Sequence, residues 1–231
     1  MEKIEDFIKN KKTIVIIVYI IALIIFNIKI DYYQKTINEF PDESSHIAYI
    51  AYLEETKKII PEFENMQEMK ENAKTETNEF EEGTTNHLGH PPLYYHLMKL
   101  FHIVQVEDGK IIYDLDILRT ISQIISNITL ILAFIIGYSK LKSIFANFVY
   151  AMFIVTIPLF SYISGAVQND VISFLGVNIY ILGMMNLVDK KRNYLTYFLI
   201  AIGTFICLLN KLTVRINCYH FIYINYYWAS N

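Results

Sequence analysis

Cysteine is almost missing from this chain: Cys207 and Cys218 are the only two in 231 residues. Both lie at or near the last hydrophobic run, so they form neither a disulfide framework nor a thiolate metal pattern. Positive charge is not in surplus either. Lys and Arg number 20 against 23 Asp and Glu, a formal net charge of -3. With no basic-aromatic surface in the sequence, a nucleic-acid partner is not expected. A Gly-rich phosphate loop, a nucleophile elbow and a Cys-His pair are all lacking. That removes the common sequence signs of nucleotide binding and of covalent hydrolysis.

What the chain does have is apolar residues, 54% of the total. They are gathered into five runs that a small soluble core could not use. About 18 apolar residues cross a bilayer core at roughly 1.5 Å per residue. The first run, 13–30, is uncharged up to Lys29 and follows a polar start, 1–12, that carries Lys3, Lys9, Lys11 and Lys12. It is long for a signal peptide and lacks an A-x-A exit, so it reads as an uncleaved anchor. Four further runs are expected as spans at about 121–138, 144–163, 171–188 and 194–209.

The short connections alternate in charge. Lys140 and Lys142 follow the second run, and Lys190, Lys191 and Arg192 follow the fourth, whereas 164–170 has no Lys or Arg. With the basic start, this is the positive-inside pattern for five spans with a cytoplasmic N-terminus. The expected fold is therefore an all-α polytopic membrane protein, placed in the plasma membrane. The tail, 213–231, is aromatic but interrupted by Arg215, Asn217, His220 and Asn225. It is expected to be an atypical end, as in a truncated chain.

Residues 31–118 are too polar to span, with 18 Asp and Glu against seven Lys. The segment 42–58 reads as a helix whose apolar side, Ile47, Ile50, Ala51 and Leu53, suits an interfacial helix lying on the membrane. The acidic stretch 62–82 has almost no apolar period and is expected to be mobile. A second amphipathic helix is expected at 92–103, with Leu93, Leu97, Leu100 and Phe101 on one side and Pro at its entry. Glu107-Asp108-Gly109-Lys110 is a turn signal.

Two clusters in this loop carry most of the chemistry: Pro41-Asp42-Glu43-Ser44-Ser45-His46 and Gly89-His90-Pro91-Pro92-Leu93-Tyr94-Tyr95. Asp42 and Glu43 have a plain structural reading, as carboxylates stabilised by a helix N-terminus. At an outer surface cleft the same acid can act as a general base. His46 shares the helical face of Asp42 one turn on. A single His with carboxylates is a weak metal signal, so no cofactor is indicated and a divalent metal stays open. His90 in a Pro-Pro turn reads first as a surface residue, and Tyr94 and Tyr95 as interfacial aromatics. Asn169 and Asp170 would cap the helix that follows them, and Arg119 and Lys211 could snorkel at membrane edges.

Taken in order, these residues resemble the N-terminal part of the GT-C superfamily of membrane glycosyltransferases, in the branch of protein O-mannosyltransferases and aminoarabinose transferases. The match runs over about residues 1–213. It rests on Pro41-Asp42-Glu43-x-x-His46, His90-Pro91-Pro92-Leu93-Tyr94-Tyr95, Leu118-Arg119-Thr120-Ile121-Ser122, Gln168-Asn169-Asp170 and Asn210-Lys211-Leu212-Thr213. The resemblance implies transfer of a sugar, with inversion, from a polyprenyl-phosphate carrier to an acceptor outside the cytoplasm. It implies Asp42 as catalytic base with Glu43 as its partner. His46, His90, Tyr94, Arg119, Asn169, Asp170 and Lys211 would bind substrate, Arg119 and Lys211 at the departing phosphate. Partners would be the lipid-linked sugar and membrane lipid. Family members usually carry more spans than these five and often a C-terminal soluble domain. A membrane scaffold, a transporter piece or an inactive fragment of such an enzyme is the competing reading.

Overall fold

The computed structural model describes residues 11–75 and 77–211. The expected atypical tail lies outside the described residues, as does most of the polar start. Among the described residues the chain is mostly helical, and three helices are long and apolar enough to cross a membrane. These are α1 (Lys11–Thr36), α4 (Leu115–Lys140) and α7 (Asp170–Val188). The third expected span is not one helix. It is α5 (Ile144–Thr156) followed by α6 (Pro158–Ser164), bent by 58°. Pro158 has no N–H and its ring blocks helical continuation, which places the break. Lys29 Nζ of α1 donates to the Val155 carbonyl at 2.8 Å, satisfying an acceptor beside that break. If the bent pair counts as one span, four segments could cross. The last helix, α8 (Tyr194–Asn210), is apolar but has only 17 residues.

Aromatic and aliphatic side chains join α1, α4 and α5: Phe26, Ile30, Leu130, Phe134, Ala151 and Val155 are buried together. Tyr19 stacks on Phe134 at 4.5 Å and donates to Asn147 Oδ1 of α5. α7 and α8 pack closest of all. A Cβ at Gly203 would meet Tyr180 N at 2.5 Å and Gly176 O at 2.8 Å, so the two backbones touch where only hydrogen fits.

The loop 31–118 folds as a cap over one end of these helices, and it corrects several expectations. It is not all-α: β1 (Thr77–Glu79), β2 (Val104–Glu107) and β3 (Lys110–Tyr113) form an antiparallel sheet in the order β1-β3-β2. Asp108 and Gly109 turn β2 into β3 with φ of 51° and 76°. Two successive positive φ values match the twist of a two-residue hairpin, which is why Asp-Gly sits there.

The first cap helix is α2 (Glu43–Thr56), and it is not amphipathic: every residue from His46 to Leu53 is buried. The sheet, Met66 and Met69 from the acidic stretch, and α3 (Leu93–Lys99) all join it in one core. It is the centre of the cap rather than a helix lying on a surface.

The described residues of 62–82 make specific contacts with one another and with the core. Asn78, buried, accepts from Glu71 N and Glu79 N and donates to Glu71 O, closing a turn around its own side chain. Met69 bridges to Phe80, and Met66, Met69 and Ala73 are buried. Three apolar anchors and one asparagine are too sparse to register as a period.

α3 is shorter than expected and turned differently. Tyr94, Tyr95 and Met98 face the core while Leu100 and Phe101 are exposed. It ends because Leu100 to His102 tighten into successive turns and His102 takes φ 53°.

Candidate functional site

The floor of the site is an ion pair. Glu43 is fully buried and Arg119 nearly so. Arg119 Nε donates to Glu43 Oε1 at 3.0 Å, and Nη2 donates to Oε2 at 2.6 Å. The remaining carboxylate positions are taken by the backbone N–H of Val167 at 3.1 Å and of Phe40 at 3.2 Å. A carboxylate accepts about four hydrogen bonds, so Glu43 is saturated. Arg119 also donates to Asn38 O at 3.2 Å and lies 4.9 Å from the centre of the Phe40 ring. These contacts join α2, α4 and the loop before α7. Glu43 is thus the partner of Arg119, not of Asp42, and the guanidinium is committed to it.

Asp42 is the opposite case. It precedes α2 with φ 59° and ψ 9°, in the left-handed region, and its side chain caps nothing. Asp tolerates this conformation better than most residues, but it is uncommon and marks sites held by their surroundings. Glu43, locked one residue later, supplies that hold. Asp42 is exposed, and among the described residues its carboxylate has no hydrogen-bond or ion-pair partner. Asp42 thus occupies the N-cap position, its carbonyl accepting from His46 N at 2.9 Å, without a side-chain capping bond.

His46, one turn into α2, is buried and contacts Tyr95 of α3 through Nδ1 at 2.9 Å. Tyr95 stacks on Tyr49 at 3.6 Å, and the Tyr49 hydroxyl donates to His90 O at 2.8 Å. The His90 ring lies 6.3 Å from that of His46 and nearly parallel to it. The Tyr94 hydroxyl sits 3.4 Å from Ser122 Oγ of α4. Burial pushes His46 down to about 3, with the charges of His90 and Lys211 acting the same way. Burial also lowers His90; Lys211 adds to this, while Asp170 and Asp42 oppose it. Burial raises both Tyr94 and Tyr95. Both histidines are thus uncharged and both hydroxyls protonated near neutral pH.

The third wall is the junction of α7 and α8. Asn169 Nδ2 donates to Asn210 O at 3.2 Å, and Asn210 Nδ2 donates to Asn169 O and to Ser173 Oγ, both at 2.6 Å. Lys211 Nζ pairs with Asp170 at 2.5 Å, with both side chains about one quarter exposed. Asn169 does not cap α7 with its side chain; it clasps α8 instead.

No family model, curated protein or solved structure matches this chain.

The site is therefore read from its own geometry. The fields of Asp42, Asp170 and Lys211 all reach His90, and Lys211 also reaches His46. Direct contacts tie the same segments: Gln168 Nε2 donates to Pro41 O at 2.8 Å and Val167 N to Glu43, His46 meets Tyr95, and Lys211 pairs with Asp170, so 41–46, 90–95, 167–170 and 211 lie close together. Among the described residues, no three His, Cys, Asp or Glu side chains converge as metal ligands. Tyr95 and Asn210 were underread in the sequence, the first as an interfacial aromatic and the second as part of a span end. A polar residue closing an apolar run, as Asn210 does, was the available signal. Tyr95 belongs to the Gly89–Tyr95 cluster, but nothing local sets its role apart from that of its neighbour Tyr94.

Proposed function

We propose that this chain belongs to a membrane glycosyltransferase of the GT-C type, using a polyprenyl-phosphate sugar as donor. Asp42 takes the proton of the acceptor hydroxyl or amine as that group attacks the anomeric carbon. The carbon–oxygen bond to the phosphate breaks on the opposite face, inverting the centre. Lys211, held by Asp170, faces the negative charge that grows on the departing phosphate. Glu43 and Arg119 position Asp42 and take no direct part. The observation that carries this reading is an unpartnered carboxylate on strained backbone, beside two uncharged histidines and a lysine–aspartate pair.

In this reading α1, α4, the α5–α6 pair, α7 and α8 make five crossings of the plasma membrane. The N-terminus is cytoplasmic and the cap lies outside. The Lys and Arg bias of the short loops supports that orientation. α8 is about 25 Å long, enough to cross where the bilayer is locally thin.

The test is Asp42→Asn in lipid vesicles supplied with a panel of polyprenyl-phosphate sugars, following release of polyprenyl phosphate. Asn keeps the left-handed backbone and the side-chain size. Loss of general-base help lowers turnover by about 10²–10⁴-fold. Unchanged turnover in a folded Asp42→Asn protein would remove the base assignment.

A further inference from the structure

The buried hydrogen bond between His46 and Tyr95 has only one chemically complete arrangement. The Tyr95 hydroxyl is buried, and His46 Nδ1 is its one hydrogen-bond partner among the described residues. If Nδ1 carried the proton and donated, the tyrosine proton would be left in the interior without an acceptor, a costly state. Tyr95 therefore donates and Nδ1 accepts. A neutral imidazole has one N–H, so the proton sits on Nε2. No described residue accepts a hydrogen bond from His46 Nε2. The residue is only 3% exposed, yet Nε2 is not among the buried side-chain atoms that lack a partner, so this edge of the ring keeps an opening where water or a ligand can accept its N–H, whereas the Tyr95 hydroxyl has none.

We propose that Tyr95 is a positioning residue that locks His46 as a permanent Nε2–H donor, and that this donor serves a phosphate oxygen of the ligand beside Lys211. The identity of the ligand rests on the functional reading above; the tautomer does not. The groups around the ring favour a neutral donor. Tyr94 and Tyr95 come from α3, His90 from the preceding loop, Lys211 from the end of α8, and Asp42 and Glu43 from the start of its own helix. Of these, Lys211 and His90 act on the ring charge most strongly after burial itself, and both oppose protonation. A neutral N–H offers direction without the desolvation cost of a second buried cation next to Lys211. A phosphate oxygen then accepts one hydrogen bond from imidazole and one from ammonium.

The experiment is nitrogen NMR on the full chain in nanodiscs with ¹⁵N-labelled histidine, assigned by the loss of a signal in His46→Gln. Expected is an unprotonated Nδ1 and a protonated Nε2 that do not titrate between about pH 5 and 8. In Tyr95→Phe the two tautomers should mix. Two probes then report the ligand: inorganic phosphate in solution, and polyprenyl monophosphate in the disc. A shift of the Nε2–H signal with the lipid alone assigns the donor to a lipid-borne phosphate; a shift with both assigns it to the phosphate group itself. No shift with either overturns the donor role, and an Nδ1–H tautomer overturns the lock. Gln can accept from Tyr95 and still donate, so His46→Gln should retain binding of polyprenyl phosphate that His46→Leu weakens about 10- to 100-fold. Equal binding by the two variants would also overturn the proposal. If Asp42→Asn transfers sugar normally while Nε2–H responds to lipid, the base assignment falls and this one stands. An Nδ1–H tautomer in a protein whose transfer depends on Asp42 gives the reverse.

Discussion

Removing the charge on Glu43 should unfold the cap before it touches any chemistry. The carboxylate accepts two hydrogen bonds from Arg119 and one each from Phe40 N and Val167 N, all in the interior. In Glu43→Gln the amide brings two N–H groups to a place lined only by donors. Two hydrogen bonds are lost outright, and the guanidinium is left buried with Asn38 O and the Phe40 ring for company. Breaking a buried pair from one side costs about 3–5 kcal/mol, because the surviving charge stays desolvated. Arg119→Met should cost a similar amount for the mirror reason, leaving a buried carboxylate with two backbone donors. The double variant Glu43→Leu with Arg119→Met removes both charges and should recover much of that loss. The assay is denaturant unfolding in detergent, with size exclusion to count folded material at the start. If either single variant costs under about 1 kcal/mol, or if the double variant costs the sum of the singles, the pair is not the keystone described.

Three further outcomes follow from the same contacts. His46 is neutral in the folded chain down to about pH 3 but takes up a proton near pH ~6.5 when unfolded. Stability is therefore full above about 6.5 and falls with acid toward 3, by up to ~1.4 kcal/mol per pH unit; His46→Gln should flatten that slope in unfolding measurements, and equal slopes would refute it. Gly203→Ala forces a methyl against Tyr180 N and Gly176 O and should destabilise the α7–α8 hairpin by about 1–3 kcal/mol, read as a lowered Tm. Glu64 is exposed on the cap; Glu64→Cys in a cysteine-free background should react with a membrane-impermeant thiol reagent in intact cells, and labelling only after lysis would reverse the proposed orientation.

Among the described residues, the apolar runs anticipated the three long apolar helices, the bent pair and the shorter last helix, because a run of about 18 residues without charge has few other stable uses in water or lipid. Asp42, His46 and His90 stood out as members of two short clusters in the polar loop, and Asn169, Asp170 and Lys211 as polar residues at the ends of apolar runs. The Asp108-Gly109 turn was legible for a local reason: two positive φ values narrow the choice of residue. Tertiary structure decided the rest. Glu43 and Asp42 are adjacent and of one chemical kind, yet one is saturated and the other free. The difference is made by Arg119, 76 residues away, and Val167, 124 residues away. The strands flanking that turn have four residues each, too few for alternation to register, and a buried helix such as α2 has no polar face to give it a period. The break at Pro158 is a local event, but its angle depends on what packs around it, including Lys29 of α1 at the Val155 carbonyl. Side-chain pairing across the chain is a property of the packed core, and sequence carries it only through the fold.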